Sequence, residues 1–280
     1  MEIRVAELDI TLKAERPTNL DTWLGSKLRG AIKNGIVYQN CTNMRLGACD
    51  ICKHTDCPSK FLFDNIDKST CRIAINPVIL DVDFQDTDIV TDTISFKVKL
   101  LGHAIMAQDK LVDVLKYGIF LGQERVKFQL DSINELNYTI DITDLAKPES
   151  EAPEEISLVL DTPYVVKAKS GITAESFIRN CTTRITGMVN TLGLDYNVEY
   201  QTALDSCKDL ILETDVTKQS YKRISTRTHK KQTIGGYTGT LTLKGDLSKV
   251  YKYITIASKL NIGKECTMGF GKFSITDERR

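Results

Sequence analysis

Two successive runs of alternating strand and helix patterns predict an α+β fold of two β-α-β-β-α-β units in tandem. Three observations predict it. The apolar period switches between about two and about 3.6 residues in that order, once before residue 146 and again after residue 156. Between the runs, residues 147–155 (KPESEAPEE) carry two prolines, four glutamates and no large apolar side chain, as a linker or exposed loop does. The chain has 280 residues, 41% of them apolar, which suits two modest domains each with its own core. The expected units are 1–146 and 156–280, each ferredoxin-like (RRM-like) in element order, although the two halves are not visibly alike in sequence.

In the first unit, residues 2–13 (EIRVAELDITLK) alternate as a strand. Pro17, Thr18 and Asn19 then open a helix with Leu20, Leu24, Leu28, Ala31, Ile32 and Ile36 on one stripe. A cysteine-rich insert occupies 41–65. Strands are expected at 72–82 and 93–101. A helix follows at 107–118, burying Leu111, Val114 and Leu115 and stopping at Gly118, and strand-like sequence continues to about 142. The second unit begins with a strand at 156–167 and a helix at 174–192, with Phe177, Ile178, Cys181, Ile185, Met188, Val189 and Leu192 on one face. Strands at 208–215 and 234–244, a helix at 247–260 and a closing GFGKFSI strand complete it.

Lys and Arg number 37, as do Asp and Glu, so the chain is not basic throughout. A local basic patch remains open. The N-terminal MEIRVAELDITLKAERP lacks the charged, apolar and small-residue regions of a signal peptide. No run reaches 18 apolar residues, so no membrane partner is expected and the expected compartment is the cytoplasm. Thiols stay reduced there, so the eight cysteines read as metal ligands or buried thiols.

Cys41, Cys49, Cys52 and Cys57 place four thiols within 17 residues, with a central C-x2-C. A loop of this size with few apolar residues would be poorly ordered without a staple. Four thiolates suit a structural zinc ion, and an iron–sulfur cluster equally satisfies the donor set. Free reduced thiols are the simpler alternative. Cys181, Cys207 and Cys266 read as structural.

Residues 218–233 (KQSYKRISTRTHKKQT) hold Lys218, Lys222, Arg223, Arg227, Lys230 and Lys231 with Tyr221 and His229, uninterrupted by any acid. Lysine and arginine neutralise phosphates, and tyrosine offers a ring to an unpaired base. A solvated loop is the competing reading. Gly235, Gly236 and Gly239 follow, and Gly263, Gly269 and Gly271 surround the last strand between Lys264 and Lys272. Glycine lets a backbone approach a ligand closely, although turns and bulges use it equally.

Residues 234–273 (IGGYTGTLTLKGDLSKVYKYITIASKLNIGKECTMGFGKF) resemble the C-terminal signature of the CRISPR repeat-processing endoribonucleases of the RAMP superfamily. That signature has a Gly-rich strand, a G-D-L helix start, a helix ending near Gly and a closing G-x-G strand. Leu28-Arg29-Gly30-Ala31, the cysteine cluster with Phe61-Leu62-Phe63, and Leu100-Leu101-Gly102 match further parts in the family's order. The resemblance implies tandem ferredoxin-like domains, binding of CRISPR repeat RNA at the basic segment and the Gly-rich loop, and cleavage of precursor to guide RNA without a catalytic metal. It also implies supply of guide RNA to an antiviral effector complex. The alternative within the superfamily is a non-catalytic RNA-binding subunit of such a complex. A redox protein built on the cysteines would leave the basic segment unexplained.

Metal-free cutting needs the ribose 2′-OH to attack its own phosphate, with a general base, a general acid and a cation nearby, and leaves a 2′,3′-cyclic phosphate. The chain has three histidines: His54, His103 and His229. His103, just before a helix, reads as structural. Some family members use a tyrosine, a histidine and a lysine near the N-terminus, and Tyr38, His54 and Lys60 match those types in order. His54 lies between two metal-ligand candidates. His229 sits beside Lys230, where like-charge repulsion favours a neutral base. Both remain candidates.

Overall fold

The computed structural model describes residues 1–20, 23–41, 52, 57–63, 75–82, 89–143, 150–166, 171–195, 200–224 and 231–276. No side chain is described for residues 222–224 and 231. Two antiparallel sheets carry the fold.

The first sheet has the order β2-β3-β1-β5-β4, from β1 (Glu2–Leu20), β2 (Val78–Asp81), β3 (Ile89–Leu101), β4 (Ile119–Leu121) and β5 (Val126–Asp141). Helices α1 (Leu24–Asn40), α2 (Pro58–Phe63) and α3 (Gln108–Tyr117) belong to this unit. The second sheet has the order β7-β8-β6-β9, from β6 (Glu155–Tyr164), β7 (Ile211–Ile224), β8 (Lys231–Lys244) and β9 (Ser274–Thr276), with α4 (Ala174–Leu192), α5 (Tyr200–Asp205) and α6 (Tyr251–Leu260). Each sheet puts its unit's first strand in the middle, with the third and last strands antiparallel on either side, which is the ferredoxin-like arrangement. In the first unit β4 adds an edge beyond β5. The tandem ferredoxin-like expectation therefore holds.

β1 shows how the core is divided. Ala6, Leu8, Ile10 and Leu12 point to one face and join Leu28, Ile32, Leu111 and Val114 from α1 and α3. Ile3 and Val5 point to the other face, where Ile79, Leu101 and Ile140 join the core of the second unit around Leu158, Phe177, Ile185 and Ile254. Strict alternation breaks at Val5-Ala6, both buried, because both faces of the sheet are covered there. Further along, the face opposite the helices is polar.

Several element boundaries differ from expectation: β7 runs on to Ile224 rather than ending at 215, β8 starts at Lys231, β3 starts at Ile89, and β2 is confined to Val78–Asp81. β1 continues to Leu20, because Thr18, Asn19 and Leu20 pair with Thr91, Val90 and Ile89. Pro17 falls in the register shift between Lys13 and Thr18, where its missing N–H costs no ladder bond. α1 accordingly starts at Leu24. α6 starts at Tyr251, since a turn in which the Asp246 carboxylate accepts from the Ser248 N–H (3.0 Å) comes first. α4 spans the expected 174–192: Thr173 and Ser176 form a reciprocal cap, and Gly193 at φ +63° ends it. No described helix is long and apolar enough to cross a membrane.

Candidate nucleic-acid interface and active site

The basic segment is a β-ribbon. Lys218 pairs with Tyr237, Lys222 with Thr233, Arg223 with Gln232 and Ile224 with Lys231. Among the described residues β6 accompanies β8 only as far as Tyr237, so the pair described beyond it is two-stranded. Six residues at about 3.3 Å each carry the ribbon ~20 Å past the sheet. Lys222, Arg223 and Lys231 lie at its far end, and Lys218 is exposed nearer its base. Arg227, His229 and Lys230 lie outside the described residues.

At the ribbon's base an apolar cluster joins three distant parts of the chain. Trp23, just before α1, stacks at 4.2 Å from Phe270 and 5.7 Å from Tyr221 (ring centroids), and Tyr221 meets Phe270 edge-on at 5.9 Å. Ile234, Met268 and Val165 complete the cluster. Tyr221 therefore cannot offer its ring to a base as the sequence suggested. The ring is buried, because β7 turns it towards Trp23 and Phe270.

The glycines are internal as well. A Cβ on Gly236 would lie 2.9 Å from Pro163 Cβ, and one on Gly271, at φ +73°, would lie 1.8 Å from the Ile262 carbonyl oxygen. Gly269, at φ +89°, would bring a Cβ within 3.1 Å of the Leu80 carbonyl oxygen in the first unit. Gly235 has more room, 3.6 Å to the Gln219 carbonyl. At Gly236, Gly269 and Gly271 the place a side chain would take is thus filled by protein, which gives each glycine a packing role. Lys264 is exposed.

Lys272 is tied down. Its Nζ lies 2.8 Å from the Asp81 carboxylate on β2, linking the two units. The same polar face carries Lys97, which donates to Glu7 at 3.0 Å, and Tyr138, which donates to Glu7 at 3.3 Å. Lys99 lies 4.0 Å from Glu7, and burial pulls its ammonium below the usual lysine value. The hydrogen bond to Glu7 raises Lys97, and burial above all raises Tyr138. Glu7 thus answers Lys97 and Asp81 answers Lys272, the second pair bridging the two units.

Of the cutting candidates, Tyr38 stands on the last turn of α1, 65% exposed. Lys60 lies on α2, its ammonium donating to the Cys52 carbonyl. Both belong to the helical side of the first unit. His54 and His229 lie outside the described residues. His103 sits in the 3-10 turn Gly102–Ala107, half-buried, 5.9 Å from the Phe61 ring, and burial lowers its pKa. Cys41, Cys52 and Cys57 are half-buried and Cys49 lies outside the described residues. Among the described residues no three His, Cys, Asp or Glu side chains converge as a metal group. Cys181, Cys207 and Cys266 are buried, and burial raises their thiol pKa, to about 11 for Cys207.

Sequence reasoning missed Trp23, a lone tryptophan between the first strand and helix. Its only signal was that uniqueness.

Residues 158–273 match the family model of the CRISPR-associated endoribonuclease Cas6, and residues 3–156 match that of an N-terminal domain, AF_1859_N. No curated protein matches the sequence. Among solved structures, a Cas6 product complex is 14% identical over 97% of this chain and 99% of its own, with a TM-score of 0.60. Cas6 of Thermus thermophilus is 11% identical over 98% and 99%, with a TM-score of 0.58. A partial Cas6-RT-Cas1–Cas2 complex is 12% identical with a TM-score of 0.57; it covers 99% of this chain, which spans 47% of that one. At these identities the structural likeness speaks for the fold.

Proposed function

We propose that this chain, whose residues 158–273 match the family model of the CRISPR-associated endoribonuclease Cas6, cuts CRISPR repeat RNA and does its chemistry without a catalytic metal. The observation that carries this is the family match over 158–273, which contains the entire basic ribbon and the Gly-rich turn. In the proposed step the ribose 2′-oxygen bonds to the adjacent phosphorus as a general base takes its proton. The bond from phosphorus to the 5′-oxygen breaks, and a general acid protonates that oxygen. The products are a 2′,3′-cyclic phosphate and a 5′-hydroxyl.

His229 on the ribbon side and His54 with Tyr38 and Lys60 on the first unit are the groups for the proton transfers. Histidine titrates near neutral pH, and a lysine steadies the phosphorane charge. Lys218, Lys222, Arg223, Arg227, Lys230, Lys231 and Lys264 hold the backbone. Cys41, Cys49, Cys52 and Cys57 hold zinc, on the strength of their spacing. The protein works in the cytoplasm with subunits of a CRISPR effector complex as partners; the solved neighbour found in a larger assembly supports association with other subunits.

The test is single-turnover cleavage of repeat RNA with a brief excess of EDTA, and mass spectrometry of the 3′ end. A cyclic phosphate formed at the untreated rate is expected. Alanine at the histidine that acts as base slows cutting at least ~100-fold with binding intact. A 3′-hydroxyl product, or activity restored by Mg²⁺ alone, overturns the metal-free step. Wild-type cutting by both the His54→Ala and His229→Ala variants overturns histidine catalysis.

A further inference from the structure

Three aromatic rings stand more than half out of, or level with, the surface on one flank of the first unit: Tyr38 at 65%, Tyr117 at 54% and Phe120 at 50% exposed. They are neighbours. Tyr38 stands on the last turn of α1, and its ring centroid lies 6.5 Å from that of Tyr117, the last residue of α3. Phe120 on the edge strand β4 pairs directly with Lys127 on β5. Lys127 in turn holds its ammonium 4.9 Å from the Tyr117 ring centre, and Arg125 holds its guanidinium 5.9 Å from Phe120. The rings are thus interleaved with cations.

The patch is also built, in that its cations have fixed seats. Gly118, at φ +106°, follows Tyr117, and a Cβ there would fall 2.6 Å from Lys127 Cε and 2.9 Å from Gln129 Cγ. The missing side chain lets the Lys127 stem cross the end of α3. Gln129 donates to the Lys116 and Tyr117 carbonyls at 3.3 and 3.4 Å, fixing that end. Arg125 takes a left-handed φ of +51°, costly for a side chain of its size, in the turn that brings it beside Phe120. The nearest acid in that turn, Glu124, is answered by Arg16 at 2.6 Å.

Exposed aromatic rings cost free energy in water unless something covers them. Rings spaced among cations suit a chain with a flat π-face and a phosphate at every step, which is unpaired RNA. We propose that Tyr38, Tyr117 and Phe120, with Lys127 and Arg125, form a stacking platform for unpaired nucleotides that flank the cut site of the RNA substrate. The proposal rests on the reading that the chain binds repeat RNA, and it adds a second contact region to the ribbon. α1 separates the two: Trp23 at its start touches the ribbon base, Tyr38 stands on its last turn, and 17 residues span about 25 Å. RNA gripped by the ribbon would need single-stranded length to reach the platform.

The test uses Tyr117→Ala, Phe120→Ala and Lys127→Ala combined, which leaves Tyr38 intact. Repeat RNA is prepared with and without about ten unpaired nucleotides at either end, and labelled oligouridine serves as a third probe. Wild-type protein should bind one flanked RNA at least about tenfold more tightly than the bare repeat, and the variant should lose that gain. It should bind and cut the bare repeat as wild type does, and its oligouridine affinity should fall by a similar factor. The platform is overturned if neither flank helps the wild type, if the variant keeps the gain, or if all RNAs weaken equally. A change in self-association alone would also overturn it, by assigning the rings to a protein contact. Failure of the wild type to bind or cut any repeat RNA would instead reject the functional reading, and oligouridine would still decide whether the platform binds single strands.

Discussion

Gly271→Ala tests whether the G-x-G turn is there for RNA or for packing. Gly271 sits at φ +73°, and the added Cβ would lie 1.8 Å from the Ile262 carbonyl oxygen and 2.9 Å from its carbonyl carbon. That oxygen belongs to backbone, so it cannot rotate away. A left-handed alanine costs about 1–2 kcal/mol, and shifting packed backbone about 1–3 kcal/mol more. Stiffening of the unfolded chain returns ~0.4–1 kcal/mol. The net loss is roughly 1–4.6 kcal/mol, out of a typical stability of about 5–15 kcal/mol.

Gly193→Ala is the control. Gly193 has nearly the same φ, +63°, at the end of α4, but its Cβ would meet nothing within 4 Å. It pays only the backbone term, roughly 0–1.5 kcal/mol. Thermal melting of the two variants against wild type is the assay, with a drop on the order of 10 °C expected for Gly271→Ala and a few degrees for Gly193→Ala. Equal melting of the two would refute the packing argument. A Gly271→Ala protein that melts normally and fails to bind RNA would restore the RNA-facing role.

Replacing Lys222, Arg223, Lys230 and Lys231 with alanine should flatten the salt dependence of RNA binding. Each lost single-strand phosphate contact removes about 0.7 from the slope, and an unchanged slope would leave the ribbon tip a solvated surface. Protein purified without added metal should carry one zinc ion, or iron with sulfide, on Cys41, Cys49, Cys52 and Cys57; elemental analysis giving less than about a tenth of an equivalent sinks that assignment. His103 has a folded pKa below its ordinary 6.5, because burial disfavours the imidazolium. The unfolded chain therefore binds the proton more readily, so stability present above pH 6.5 should decline as pH falls through that value. His103→Phe should flatten this part of the stability–pH curve, and an identical curve would show that other groups control it.

Much of the architecture was legible because it rests on local periodicity. The α4 boundaries follow from a Thr173 cap, a seven-residue apolar stripe and Gly193, all written within one segment. The β1–α1 boundary was not legible. Pro17 and Asn19 look like a helix entry, yet pairing with β3, some seventy residues on, keeps the chain extended to Leu20. The basic segment was legible as charge and illegible as a ribbon, because its polar residues have no apolar alternation to announce a strand. Tyr221 shows the same limit. Its sequence neighbours are lysine and arginine, which suggest solvent, and only Trp23 and Phe270 from distant segments make its environment apolar.

Those distant segments also explain how the two units can share one site. Trp23 immediately precedes α1, and Gly25 lets that first turn press against the Gly-rich turn: a Cβ there would lie 2.0 Å from the Met268 carbonyl oxygen. Phe270 of the same turn touches both Trp23 and Tyr221, and Lys272 reaches Asp81 on β2. The turn is therefore held against the first unit by ring stacking, close backbone contact and an ion pair, while Tyr221 anchors the ribbon to it. At its other end α1 presents Tyr38 and leads into the cysteine segment with His54. The two ends of a single helix thus link the proposed Tyr38 side of the first unit to the base of the basic ribbon on the second. Enlarging Gly25 should then act unlike a local ribbon mutation: it should weaken cutting more than RNA binding, because it moves the helix that carries Tyr38 while leaving the ribbon's charges in place.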